Sequence, residues 1–201
     1  KGYGDLGYVL RDEAIIAELK RIALDGKKPR EFREAAMFSL RSTKRPDVIE
    51  LYGQVAKQDA DAKIRIAAVY QIGQSSKADE EAAYRMLKEY ATDKNQGREM
   101  REAALSSLRS LQGKRAAAIY LESAKSDPDE RIQQMALYYF VESSKDQPEK
   151  VFAVLKEILQ DRSRAWSMRE TAMNQIARIG TDEAFNVLIT TAKTDPEERI
   201  R

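Results

Sequence analysis

The stretch "AKSDPDERI" (124–132) returns as "AKTDPEERI" (192–200), 68 residues later. A chain that copies itself at a fixed interval has few folds open to it, because each copy must bury its apolar face against the next. Setting residues 28–95 against 96–163 without a gap gives 26 identities in 68 positions. Inside that block lies a shorter motif: apolar, Arg, any, small, Ala, apolar, any, any, apolar. It reads FREAAMFSL at 32–40, IRIAAVYQI at 64–72, MREAALSSL at 100–108, IQQMALYYF at 132–140 and MRETAMNQI at 168–176. The aligned alanines Ala36, Ala68, Ala104, Ala136 and Ala172 are spaced 32, 36, 32 and 36 residues apart, which makes 68 the deeper period.

Each unit reads as two helices. Apolar residues at positions 0, 3, 4 and 8 of the motif share one face of a 3.6-residue period. Second helices are expected over about 47–57, 80–91, 115–125, 149–160 and 182–193, and an earlier one over 13–23. Pro46, Pro148 and the Asp127-Pro128 pair sit where helices begin, since Pro is tolerated in the first turn. Ser75-Ser76-Lys77 and Ser143-Ser144-Lys145 fill a longer inter-helix loop, and Asp25, Asp93 and Asp161 also recur at 68. The result is an all-α solenoid of helix pairs: a partial repeat at 1–27, repeats at 28–58, 59–95, 96–126, 127–163 and 164–194, and the start of another at 195–201.

The R-E-A-A and R-I-A-A boxes at Arg33, Arg65 and Arg101, and D-P-x-x-x-I-R at 195–201, resemble the HEAT family of helical repeats from about residue 13 onward. They look like arrays common in bacterial proteins. The resemblance implies a ladder in which the boxed arginines, Arg33, Arg65, Arg101, Arg169 and Arg201, meet aspartates of inter-repeat loops, here Asp61 and Asp129. The fourth unit departs, with Gln133 in that place and Arg131 two positions earlier. The resemblance further implies that second helices line a concave, partner-binding side. Projecting them outward places Lys20, Arg85, Lys88, Glu89, Leu121, Glu122, Lys156 and Glu157 on that side, with Lys20, Lys88 and Lys156 at the 68-residue period.

Composition narrows the chemistry. Lys and Arg number 35 against 33 acids, a net charge of +2, so no bulk charge points to nucleic acid or an anionic membrane. With no Cys there is no thiolate nucleophile and no disulfide, and with no His there is no Ser-His-acid triad. Carboxylate-only sites survive, but the acids of "ADEEA" and "DPEER" sit at helix starts, where the helix dipole accounts for them. The 9 glycines are scattered rather than gathered in a phosphate loop. No apolar run approaches the ~20 residues that span a bilayer.

Trp166, the one Trp, is expected to staple a first helix or lie between repeats. Phe38, Tyr70, Tyr138 and Tyr139 on first helices are expected to pack between repeats rather than to form a stacking platform. These features favour a non-catalytic scaffold for a protein or peptide, without cofactor or metal. The alternative is a nucleic-acid backbone binder, resembling HEAT-like DNA glycosylases. The opening "KGYGDLGYVL" reads as the cut end of something longer or as a processed terminus, and the final half-copy as a piece of a longer array or as an end that stacks on a partner.

Overall fold

The computed structural model describes residues 12–111 and 115–200. Those residues form eleven α-helices and one 3-10 turn (Ser76–Ala78), with no strand among them. The helices are α1 (Glu13–Leu24), α2 (Arg30–Arg41), α3 (Pro46–Gln58), α4 (Ala62–Gln74), α5 (Glu80–Thr92), α6 (Arg98–Leu108), α7 (Arg115–Ser126), α8 (Glu130–Ser143), α9 (Pro148–Gln160), α10 (Trp166–Ala177) and α11 (Asp182–Thr194). Every expected second helix is present, with ends displaced by no more than one residue.

Local chemistry sets those ends. Asp12, Asp61, Asp79, Asp129 and Thr181 cap α1, α4, α5, α8 and α11 by accepting hydrogen bonds from first-turn amides. Pro46 and Pro148 open α3 and α9. Pro128 does not open α8; it lies before the Asp129 cap.

An aspartate stands just after every second helix. Asp25, Asp59, Asp93, Asp127, Asp161 and Asp195 are all 34 residues apart. In each, Oδ1 accepts the backbone N–H two residues on, at 2.8 to 3.0 Å. Second helices therefore keep an even period. The 32/36 alternation arises in the turns that enter the first helices, which hold four residues after Asp25, Asp93 and Asp161 but two after Asp59 and Asp127.

The chain divides into two compact units, Lys1–Gly113 and Lys114–Arg201. The boundary thus falls between the two helices of the 96–126 repeat rather than at a junction between repeats. In the first unit α1, α3 and α5 form one layer and α2, α4 and α6 the other, with each second helix packed chiefly on the following first helix. Met37, Leu40, Ile49, Tyr52, Ile72, Leu87 and Leu105 fill the space between them. The Tyr52 hydroxyl, buried, donates to the Met37 carbonyl at 2.6 Å. In the second unit α7 packs on α8, α9 on α10, and α10 on both α8 and α11, around Tyr120, Leu137, Phe140, Leu155, Ile158 and Ile176. All five motif alanines are buried, as close helix approach requires.

Several side chains differ from expectation. Phe38, Tyr70 and Tyr138 are exposed rather than packed between repeats. The positions buried in most copies of the motif are 0, 1, 4, 5 and 8, and at 100° per residue position 6 lies roughly 170° from the centre of that arc. Tyr139 does pack, its ring 5.4 Å from that of Tyr120. Phe32, the first anchor of its repeat, is exposed, whereas its equivalents Ile64, Met100, Ile132 and Met168 are buried. No described first helix precedes α2 to cover it. Trp166 begins α10 half in solvent, with the Arg199 guanidinium 5.0 Å over its ring, so it is a surface contact and not an inter-repeat plug. On α11 Ala184 and Thr191 are the buried residues, and Phe185 and Ile189 face solvent.

Candidate functional site: the second-helix face and the arginine ladder beneath it

The boxed arginines do two different jobs. Arg33 and Arg169 are each 3% exposed. The Arg33 guanidinium donates twice to the carbonyl of Ala23, at the end of α1 (3.1 and 3.0 Å), and in bidentate fashion to Asp59, after α3. Arg169 repeats this 136 residues later, donating to the Leu159 carbonyl at 2.8 Å and to both carboxylate oxygens of Asp195. Each arginine ties the ends of two successive second helices together through a fork that satisfies the desolvated carboxylate.

Arg65 behaves otherwise. It donates to the backbone carbonyls of Asp59 (2.7 Å) and Ala60 (3.3 Å). Its equivalent, Gln133, donates to the Asp127 carbonyl at 2.6 Å. The departure at Gln133 therefore keeps the contact that the even position makes. Arg101 is buried and donates to the Gln96 carbonyl, and Arg201 lies outside the described residues. The carboxylate that meets Arg33 is Asp59, two residues before Asp61, because Asp61 and Asp129 are turned to cap α4 and α8.

These contacts act on acidity. Burial pushes the Asp59 carboxyl up, but hydrogen bonds from Arg33 and the Asp61 amide, with the nearby Arg33 and Arg65 charges, outweigh it and hold it below its ordinary 3.8. The hydrogen bond from Arg169 likewise holds Asp195 low against burial. A carboxyl whose folded pKa is depressed contributes stability above its unfolded pKa and loses it as pH falls through the folded value. The melting temperature should be flat from about pH 8 to 5 and fall below about pH 4. An Asp59→Asn variant, melted over the same range, should show a shallower fall.

Within each unit the predicted residues of the second-helix face meet different neighbours. In the first unit, Lys20 donates to Asp47 at 2.5 Å across α1 and α3, and with Arg45 holds the Asp47 carboxyl below its ordinary range. Arg85 lies 3.4 Å from Glu50 across α5 and α3. Arg85 and Glu89, with Glu50, Gln54, Lys57 and Tyr90, line an open groove of about 590 Å³. Lys88 is exposed on α5 outside that lining. At the groove floor Gly53 lets Met86 approach, and the Tyr90 hydroxyl donates to the Gly53 carbonyl at 3.2 Å. Burial pushes the Tyr90 phenol up to about 12, and its one proton is committed to the Gly53 carbonyl.

In the second unit Lys125 donates to Glu157 at 2.8 Å across α7 and α9. Leu121 is half-buried and Glu122 exposed on α7. Lys156 lines a separate open groove between α9 and α11, of about 610 Å³, with Arg162, Glu183, Asn186 and Thr190. Its ammonium is 3.9 Å from Glu183. The acidic partners Asp47 and Glu183 escaped the sequence reading, since each lies about one repeat from its cation. Among the described residues no group of three or more acidic side chains could hold a metal ion, and no helix is long and apolar enough to cross a membrane.

A family model of HEAT repeats matches residues 16–109 and 49–140. The chain belongs to the HEAT-repeat family. Among solved structures, this HEAT protein is similar to human deoxyhypusine hydroxylase in complex with glycerol, at 22% identity and a TM-score of 0.58. That likeness covers 89% of this chain and 67% of the other, and at such identity it shows the fold alone. No curated protein matches the sequence significantly.

Proposed function

We propose that this HEAT protein is a non-catalytic scaffold that holds a protein or peptide on the second-helix faces of its units. The observation that carries the reading is the pair of open grooves, α3–α5 and α9–α11, each lined by both cations and anions. Arg85, Lys57, Glu50 and Glu89 line the first, and Lys156, Arg162 and Glu183 the second. Side chains of both signs at intervals suit a mixed-charge polypeptide, whereas a phosphate backbone asks for cations without interleaved carboxylates. The absence of His and Cys supports a binding role over catalysis.

Arg85→Glu and Lys156→Glu test the reading, because each lines one of the grooves, neither side chain is buried, and exposed ion pairs contribute only about 0–1 kcal/mol to stability. Probed with an array of mixed-charge peptides, the double variant should lose on the order of tenfold in affinity for the peptides the parent selects. An unchanged selection profile would count against this face. Duplex and single-stranded DNA titrated at low salt should show no complex, and a complex that weakens steeply with salt would favour the nucleic-acid alternative.

A further inference from the structure

The two second-helix grooves differ in the charge they leave uncommitted. In the α3–α5 groove Asp47 is held by Lys20 and Glu50 faces Arg85, which leaves Lys57 and Glu89, one charge of each sign. In the α9–α11 groove both carboxylate oxygens of Asp195 are taken by Arg169, and Glu183 is matched by Lys156 at 3.9 Å. Arg162 is left over. It is exposed in the turn after α9 and, among the described residues, makes neither an ion pair nor a hydrogen bond. Its charge reaches the Asp195 carboxylate only through space.

The helix register shows where the balancing acid is missing. Helices α9 and α11 repeat α3 and α5 after three periods of 34 residues. Glu89 of the first groove corresponds to Thr191 of the second, and Ala60, after α3, corresponds to Arg162. Thr191 is 9% exposed, and among the described residues its hydroxyl makes no hydrogen bond, yet it is not sealed from solvent. Gln160, Asn186 and the Thr190 hydroxyl line the same groove, exposed and equally without a partner among the described residues. The groove therefore offers, besides the Arg162 guanidinium, N–H and O–H donors that the described protein does not use itself.

We infer that the α9–α11 groove receives a glutamate or aspartate side chain of the polypeptide partner, held by Arg162; the inference rests on the scaffold reading. Charge complementarity selects this occupant. A guanidinium gives a carboxylate two parallel hydrogen bonds, and side-chain amides and hydroxyls satisfy its remaining lone pairs. A lysine or arginine would meet the uncommitted Arg162 and only carboxylates that are already matched. An apolar side chain would strip water from Arg162 without replacing its hydrogen bonds. A nucleic acid carries a charge on every nucleotide, so its next phosphates would be brought against Glu183.

A nuclear magnetic resonance titration of the full chain tests this, read at the Arg162 Nε–H and the Asn186 side-chain amide. The probes are Gly/Ser hexapeptides carrying two glutamates, two lysines or no charge, and a short single-stranded DNA. The glutamate peptide should move both signals, less so as salt rises, and the lysine and uncharged peptides should leave them in place. Arg162→Glu should weaken the glutamate peptide on the order of tenfold, read at Asn186. Arg162 is a surface side chain, and an unchanged melting curve will show that the fold is intact. Lys88→Glu, the same change of charge outside both groove linings, should bind the glutamate peptide as the parent does. If the lysine or uncharged peptide moves the signals equally, the scaffold reading stands and this inference falls. If no peptide moves them, both fall at this groove. Glutamate-peptide binding that survives Arg162→Glu, or DNA that moves the signals further than the glutamate peptide, would also overturn the inference.

Discussion

Replacing Arg33 with glutamine is expected to destabilise the first unit by about 3–5 kcal/mol, the range for removing one partner of a buried ion pair. The variant would leave the Asp59 carboxylate without its fork and the Ala23 carbonyl without its two donors. Arg65→Gln is the matched control. At the equivalent position the protein already uses Gln133, whose amide reaches the Asp127 carbonyl at 2.6 Å. That substitution should cost under about 1 kcal/mol, as for a neutral hydrogen bond exchanged for a charged one. Urea denaturation of both variants measures the difference, and equal losses would contradict the two-job account of the ladder.

The second large effect is expected at Gly73. In a helix interior, glycine to alanine ordinarily stabilises by about 1 kcal/mol. Here a Cβ would stand 2.7 Å from the Ser107 Cβ, 3.0 Å from its carbonyl oxygen and 3.1 Å from its Cα. Those atoms are fixed to the backbone of α6 and cannot swing away. Gly73→Ala should therefore force α4 and α6 apart and lower stability by about 2 kcal/mol, an overpacking cost that exceeds the gain in propensity. Gly53 offers the contrast. Its new Cβ would meet only Sδ and Cε of Met86, at 2.8 and 2.9 Å, the free end of a flexible side chain. Gly53→Ala should be neutral, or stabilising by less than about 1 kcal/mol. Thermal unfolding of the two variants, side by side, reads the difference directly.

The helices were legible because periodic anchors such as Ile64, Ala68 and Ile72 must face a core, and because Asp, Thr and Pro mark helix starts by local rules. The partner of Arg33 was not. Asp59 and Asp61 are two residues apart, and only the conformation of the turn decides which of them caps α4 and which receives a guanidinium. The aspartate spacing of 34 did carry that information: Asp59 and Asp195 belong to the evenly spaced series and Asp61 does not. Phe38 and Tyr70 were misplaced for a different reason. Their apolar character argued for burial, while their position in the helical turn, opposite Ala36 and Ala68, argued for solvent, and the position prevailed. The grooves were hidden because their walls join residues from successive repeats, as Lys156 joins Glu183, and no local pattern records such a meeting.

The central claim is that a polypeptide partner lies on the second helices, and site-specific photocrosslinking in the cells that make the protein tests it most directly. A photoreactive residue would be placed at Gln54 in the α3–α5 groove, at Asn186 in the α9–α11 groove, and at the exposed first-helix positions Glu102 and Asn174. The account predicts a discrete protein adduct at Gln54 and Asn186 and none at Glu102 and Asn174. Adducts confined to Glu102 and Asn174, or nucleic acid rather than protein captured at Gln54 and Asn186, would contradict it.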